Sequence, residues 1–128
     1  MTGRVVHFEL PFDDGQRARS FYADAFGWKL QEIPEMEYTG VSTGPSGEDG
    51  MPSEPGYIGG GLFGRGDDEP RGPVVVIDVP DIEAALARVG ELGGAVVTPT
   101  MPVGDMGFAA YFRDTEGNVV GLWQTAGG

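Results

Sequence analysis

The sequence predicts an α+β fold built from two tandem βαβββ modules, and three observations carry that reading. The stretch Val5–Leu30, VVHFELPFDDGQRARSFYADAFGWKL, reads as strand, acidic turn, amphipathic helix, glycine stop and strand. Gly72–Val97, GPVVVIDVPDIEAALARVGELGGAVV, repeats the same order of parts. In both copies an aspartate (Asp14, Asp81) precedes the helix and a glycine (Gly27, Gly94) follows thirteen residues later. Each copy then runs into a strand-like segment opened by glycine, GYIGGGLF from Gly56 and GNVVGLWQ from Gly117.

In the first module, Val5–Leu10 alternates, with Val6, Phe8 and Leu10 on one face and Val5, His7 and Glu9 on the other. Pro11 ends the strand, since it cannot donate to a ladder. Asp13 or Asp14 supplies an N-cap, and Arg17–Phe26 forms a helix whose buried stripe is Ala18, Phe21, Tyr22, Ala25 and Phe26. Gly27 is the C-cap, where a left-handed residue is least costly without a Cβ. Trp28–Ile33 and Met36–Thr43 are the next strands. Between them and GYIGGGLF, the segment GPSGEDGMPSEP (44–55) is turn chemistry throughout, read either as a flap over a pocket or as a solvated hairpin loop.

In the second module, Val74–Val79 is nearly all apolar, as for a strand covered on both faces. Asp81 caps a helix with the stripe Ile82, Ala85, Leu86, Val89 and Leu92, ended by Gly93 and Gly94. Ala95–Thr98 is a strand and Pro99–Asp105 a proline-broken loop. Phe108–Arg113 and Asn118–Trp123 form a closing hairpin around the turn Asp114–Gly117.

At 128 residues the chain has the size of one domain that buries roughly two thirds of its unfolded surface. A module of about 60 residues has a marginal core alone, so residues 1–128 read as a single domain. Its modules span 4–63 and 73–124, with 64–72 as the connector. Eight Lys and Arg against twenty Asp and Glu give a net charge of −12, which disfavours nucleic-acid partners. No apolar run approaches the roughly 20 residues of a membrane span, and no basic-then-apolar leader opens the chain. The expectation is a cytoplasmic protein without a membrane partner. The absence of cysteine excludes disulfides, thiolate metal sites and thiol nucleophiles. No phosphate-binding glycine loop and no G-x-S-x-G elbow is present.

The HFELP strand, the DDGQRARSFYADAFGW helix, the IDVPDIEAALARVGELGG unit and the DTEGNVVGLWQ hairpin together resemble the vicinal-oxygen-chelate superfamily. That superfamily includes glyoxalase I, extradiol dioxygenases and bleomycin-resistance proteins, and the chain is most similar to its small lactoylglutathione-lyase-related members. The resemblance implies sheets curled into a cup, helices outside, a small-molecule ligand within and a homodimer. It also implies where metal ligands would stand. The first falls on His7, its counterpart on Val74 or Val75, and the last-strand positions on Gly60 and Gly121. Only His7 can donate, so no metal and no other cofactor is expected, an enzyme metal normally needing three protein donors.

Strand parity sets Glu9 beside His7 on the cup side. The two are the candidate catalytic pair, an imidazole tuned by a carboxylate, although Glu9 could equally serve only to satisfy His7. Gly60, Phe108 and Trp123 join them as candidate ligand-binding residues. Phe108 and Tyr111 have opposite parity, so at most one faces a cavity. Three functions follow: a metal-independent lyase or isomerase acting on a small oxygenated or aromatic compound, a binding protein for such a compound, or a metal-dependent lyase or dioxygenase completed by donors from a partner chain.

Overall fold

A computed structural model describes residues 2–68 and 70–127. Its elements are β1 (Arg4–Phe12), α1 (Gly15–Phe26), β2 (Lys29–Ile33), β3 (Tyr38–Ser42), β4 (Gly59–Gly64), β5 (Val74–Asp78), α2 (Ile82–Glu91), β6 (Ala95–Val103), β7 (Gly107–Arg113) and β8 (Val119–Thr125). This is the α+β order of two βαβββ modules that the repeat predicts, with one added 3-10 turn at Pro34–Met36. Contacts divide the chain into two units, residues 7–73, and residues 74–127 with residues 2–6. Glu69, inside the expected connector, lies outside the described residues.

In the unit of residues 7–73 the strand order is β2-β3-β4-β1, with β1 parallel to β4 and the other pairs antiparallel. Asp14 caps α1, its side chain accepting from the Arg17 N–H at 3.1 Å, and Gly27 closes the helix at φ 71°. The expected buried stripe of α1 is corrected by the structure: no residue of this helix is buried, and Phe21 and Phe26 are 58% and 64% exposed. The reason is polar. Arg19 lies on the sheet side, its guanidinium 3.5 Å from Thr39 Oγ1 and 3.6 Å from Glu32, and displaces the rings toward solvent. The 44–55 segment is a hairpin loop folded on itself. Ser46 bridges Pro52, Gly47 N–H donates to the Met51 carbonyl at 2.9 Å, and the Tyr57 hydroxyl donates to the Pro45 carbonyl.

In the other unit the order is β5-β8-β7-β6, with β5 parallel to β8. Its core is Val79, Ile82, Leu86, Ala110 and Leu122, flanked by Ile77, Ala85, Phe108 and Phe112. Asp81 caps α2 through the Ala84 N–H at 3.2 Å. Leu92, expected on the buried stripe, is 60% exposed because it is already the C-cap. β5 alternates instead of being covered on both faces, with Val74 and Val76 buried and Val75 exposed. The expected loop from Pro99 is in fact strand: β6 runs on through Pro99 and Pro102, with register shifts before and after Thr98. It is the terminal strand of this order, the place in a sheet where proline is tolerated. The turn at Asp114 is held as expected, Gly117 taking φ 87°. Bonds from the Asn118 side chain and backbone, then from Glu116, hold the Asp114 carboxyl below the usual range.

Candidate functional site

β1 alternates as the sequence predicts, and its pairing with β4 shows what shares each face. His7 is in register with Gly59 and Glu9 with Gly61, while Phe8 pairs with Gly60. β3 lies on the other side of β4, Gly40 facing Gly61 and Tyr38 facing Phe63. Tyr38 therefore falls on the His7–Glu9 face, and its ring lies back over Gly61. A Cβ at Gly61 would stand 1.8 Å from the Tyr38 hydroxyl and 2.1 Å from the ring carbon bearing it. The glycine is what lets the phenol occupy this position.

The result is a chain of three polar groups. Tyr38 donates its hydroxyl proton to Glu9 Oε2 at 2.9 Å, and His7 Nε2 lies 2.8 Å from the same hydroxyl. Because the phenol's one proton goes to Glu9, Nε2 carries the hydrogen that Tyr38 accepts, and Nδ1 of the neutral ring holds the free lone pair. His7 Nε2 and Glu9 Oε2 are 3.9 Å apart. Glu9 is 7% exposed, whereas the His7 side chain keeps 34% of its surface accessible, enough for a ligand to reach the ring. Tyr38 is the member that sequence reasoning missed. The signal was the glycine facing Glu9 across the sheet, since a strand glycine marks close approach of another group.

Burial lowers the His7 pKa below 6.5, and the Glu9 charge partly offsets this by raising it. The imidazole is thus neutral near pH 7, in the state that accepts a proton. The unfolded chain binds that proton first as pH falls below 6.5, so His7 removes stability as pH drops from there toward its folded-state value. Replacing Glu9 by Gln is expected to lower the His7 pKa further, because the only raising influence is lost. Proton NMR of the single histidine measures this directly. An unmoved titration would show that the carboxylate does not act on the ring.

The remaining candidates are placed by register within their own units. Gly60 is in register with Phe8, on the opposite side of the sheet, where a Cβ would meet the Phe8 carbonyl oxygen at 2.6 Å. The β4 glycine beside Glu9 is Gly61. Its counterpart in the other unit is Gly121, which pairs with Val76 and Tyr111 as Gly61 pairs with Glu9 and Gly40. Glu9 thereby corresponds to Val76 and His7 to Val74. Phe108 is partly buried and packs against the core cluster that includes Ile82 and Leu122. Trp123 shares its face of β8 with Gly121, opposite that of Leu122, and is in register with Ala109 and Asp78, its indole N–H donating to Thr125 at 3.1 Å. Of the Phe108–Tyr111 pair, Tyr111 shares the Trp123 face. A separate cleft of about 340 Å³ opens where β1 runs into α1, lined by Phe12, Ala18, Phe21, Tyr22 and Arg17 among others, but not by His7 or Glu9.

The donor set does not fit a metal. Val74, Val76, Gly61 and Gly121 have no ligating side-chain atom, and among the described residues no three His, Cys, Asp or Glu side chains are grouped as an ion requires. No helix among the described residues is long and apolar enough to cross a membrane.

Comparison with known proteins gives consistent matches. A family model described as "Bleomycin resistance protein-like N-terminal" matches residues 4–44. A "Glyoxylase-like domain-containing protein" of Didymella fabae is 30% identical over 125 residues, which cover 92% of this chain and 91% of that protein. CFP32 of Mycobacterium bovis is 29% identical over 120 residues, and the chain spans only 43% of its length. Among solved structures, a glyoxalase/bleomycin resistance protein/dioxygenase superfamily member from Vibrio splendidus superposes with a TM-score of 0.62 at 23% identity, covering 97% of this chain and 99% of that one. A variant of Streptomyces coelicolor methylmalonyl-CoA epimerase, in complex with 2-nitronate-propionyl-CoA, superposes at 0.64 with 17% identity, covering 99% of this chain and 100% of the other.

Proposed function

Because the chain belongs to the glyoxalase/bleomycin resistance/dioxygenase superfamily, we propose that it binds a small oxygenated compound and moves a proton on it without a metal, as a lyase or isomerase does. The observation that carries this reading is the His7–Tyr38–Glu9 chain. A neutral imidazole with a free Nδ1 lone pair can take a proton from carbon next to a carbonyl, leaving the electron pair on the substrate as an enolate. The imidazolium so formed passes its charge through the Tyr38 hydroxyl toward the Glu9 carboxylate, and returning the proton completes the cycle. A buried carboxylate behind an imidazole stabilises the protonated ring in this way. The epimerase similarity supports the choice of carbon acids as substrates. As part of the same reading the protein acts as a homodimer in the cytoplasm.

The experiment is hydrogen exchange. Enolisable carbonyl compounds, offered as 2-oxo acids, 2-hydroxyketones and acyl thioesters, are incubated with the protein in D2O and followed by NMR. Exchange of the acidic C–H should occur for at least one class and fall by about 10²–10⁴ in His7→Gln. A set in which nothing exchanges above the blank, and nothing shifts the His7 resonance, would remove the proposal. A second measurement addresses the metal-dependent alternative with partner-chain donors. Protein purified without chelator should carry well below one equivalent of zinc, nickel, manganese or iron. A stoichiometric ion lost on His7→Ala would favour that alternative instead.

A further inference from the structure

The exposed face of α1, beside the cleft where β1 runs into the helix, carries a self-complementary pattern. Arg19 points to the sheet, at Thr39 and Glu32. On the opposite side Arg17, Phe21 and Asp24 follow one another at four- and three-residue spacing, and all three are exposed. Phe21 is also held in position. It meets Tyr22 edge-on at 5.1 Å, Tyr22 stacks on Trp28 at 4.7 Å, and Trp28 packs 5.6 Å from Phe8 of β1. An anchored ring left in water loses little freedom on binding, which is how contact residues are preorganised. The contrast with α2 is direct: that helix fully buries Ile82 and Leu86 in its own unit, whereas no residue of α1 is fully buried. Among the described residues, neither the Arg17 guanidinium nor the Asp24 carboxylate has an ion-pair partner.

We propose that this face docks a second copy of the chain, the two α1 helices lying antiparallel across a two-fold axis beside Phe21. An axis passing between residues 20 and 21 is equidistant from Arg17 and Asp24, each about 5 Å away along the helix. Arg17 then faces the partner's Asp24, and the reciprocal pair forms by symmetry. The two Phe21 rings meet at the axis, with the small Ala18 and Ala25 on either side allowing close approach. Such an interface must present one patch that complements itself. This one does, with an apolar centre and opposite charges at equal distances. The local charge pattern matters in a chain of net charge −12, whose copies otherwise repel.

The inference names a surface for the homodimer proposed above, and its test separates the two. The full chain is followed by light scattering through a dilution series, with thermal melts to verify folding, since all three side chains are exposed and their replacement leaves the core intact. The wild type should show twice the 13.5 kDa chain mass. Phe21→Glu should raise Kd at least about tenfold. Arg17→Asp and Asp24→Arg should each weaken it by roughly three- to tenfold, and combining them should return it near the wild-type value. A wild type that stays monomeric overturns both surface and homodimer. A dimer indifferent to Phe21→Glu keeps the homodimer and overturns the surface. Weakening by both single reversals without recovery in the double overturns the antiparallel arrangement.

Discussion

Gly61→Ala is expected to break the His7–Tyr38–Glu9 chain in a protein that still folds. The new methyl group would stand 1.8 Å from the Tyr38 hydroxyl, a position no pair of atoms can share, so the phenol must leave. Because the clash is with the far end of a side chain, the ring swings aside and the sheet stays paired. The stability cost should be about 1–3 kcal/mol, as for overpacking elsewhere. The functional cost should be larger, about 10²–10⁴ in proton exchange, since the imidazole loses its link to Glu9. The His7 titration should move in the same variant, and Tyr38→Phe should reproduce the exchange defect without the clash. If Gly61→Ala retained both the wild-type titration and full exchange, Tyr38 would be a bystander.

The largest effect on stability is expected from Ile82→Ala. This side chain is 0% exposed and stands at the first turn of α2, against Val79, Leu86, Ala110 and Leu122. Its removal loses the transfer free energy of three carbons and leaves a cavity, about 2–5 kcal/mol in all. For a chain of this length that is a fall in Tm on the order of 10 °C. Leu92→Ala is the internal control. Its side chain is mostly in water, so its replacement should stay within about 0.5 kcal/mol. Equal losses from the two would mean that the helix seats a different face from the one described.

The fold was legible because its signals are local and occur twice. Asp14 and Asp81 at the helix starts, glycines at the helix ends and the alternation of β1 each follow from backbone chemistry, and the structure has them in those roles. The site was only half legible. Parity put His7 and Glu9 on one face, but Tyr38 arrives from a strand some thirty residues away, and nothing local reports that pairing. Gly60 and Gly61 are adjacent glycines, so the sequence offered no way to tell which faced Glu9. The stripe of α1 failed for another reason: helical spacing identifies an apolar line, but not whether an arginine occupies the space beneath the helix. Phe108 and Tyr111 were correctly seen to oppose each other, and the choice between them needed the register of β7 on β8.

The two prolines of β6 have a consequence beyond their tolerance at that position. A sheet's terminal strand ordinarily offers a continuous row of N–H and C=O groups on which a stray chain can polymerise. In this protein Pro99 and Pro102 remove two donors within four residues, and the register shifts beside Thr98 interrupt the spacing further. A foreign strand laid along β6 would meet a strand short of donors and irregular in register. Covalent structure therefore opposes strand addition along this strand.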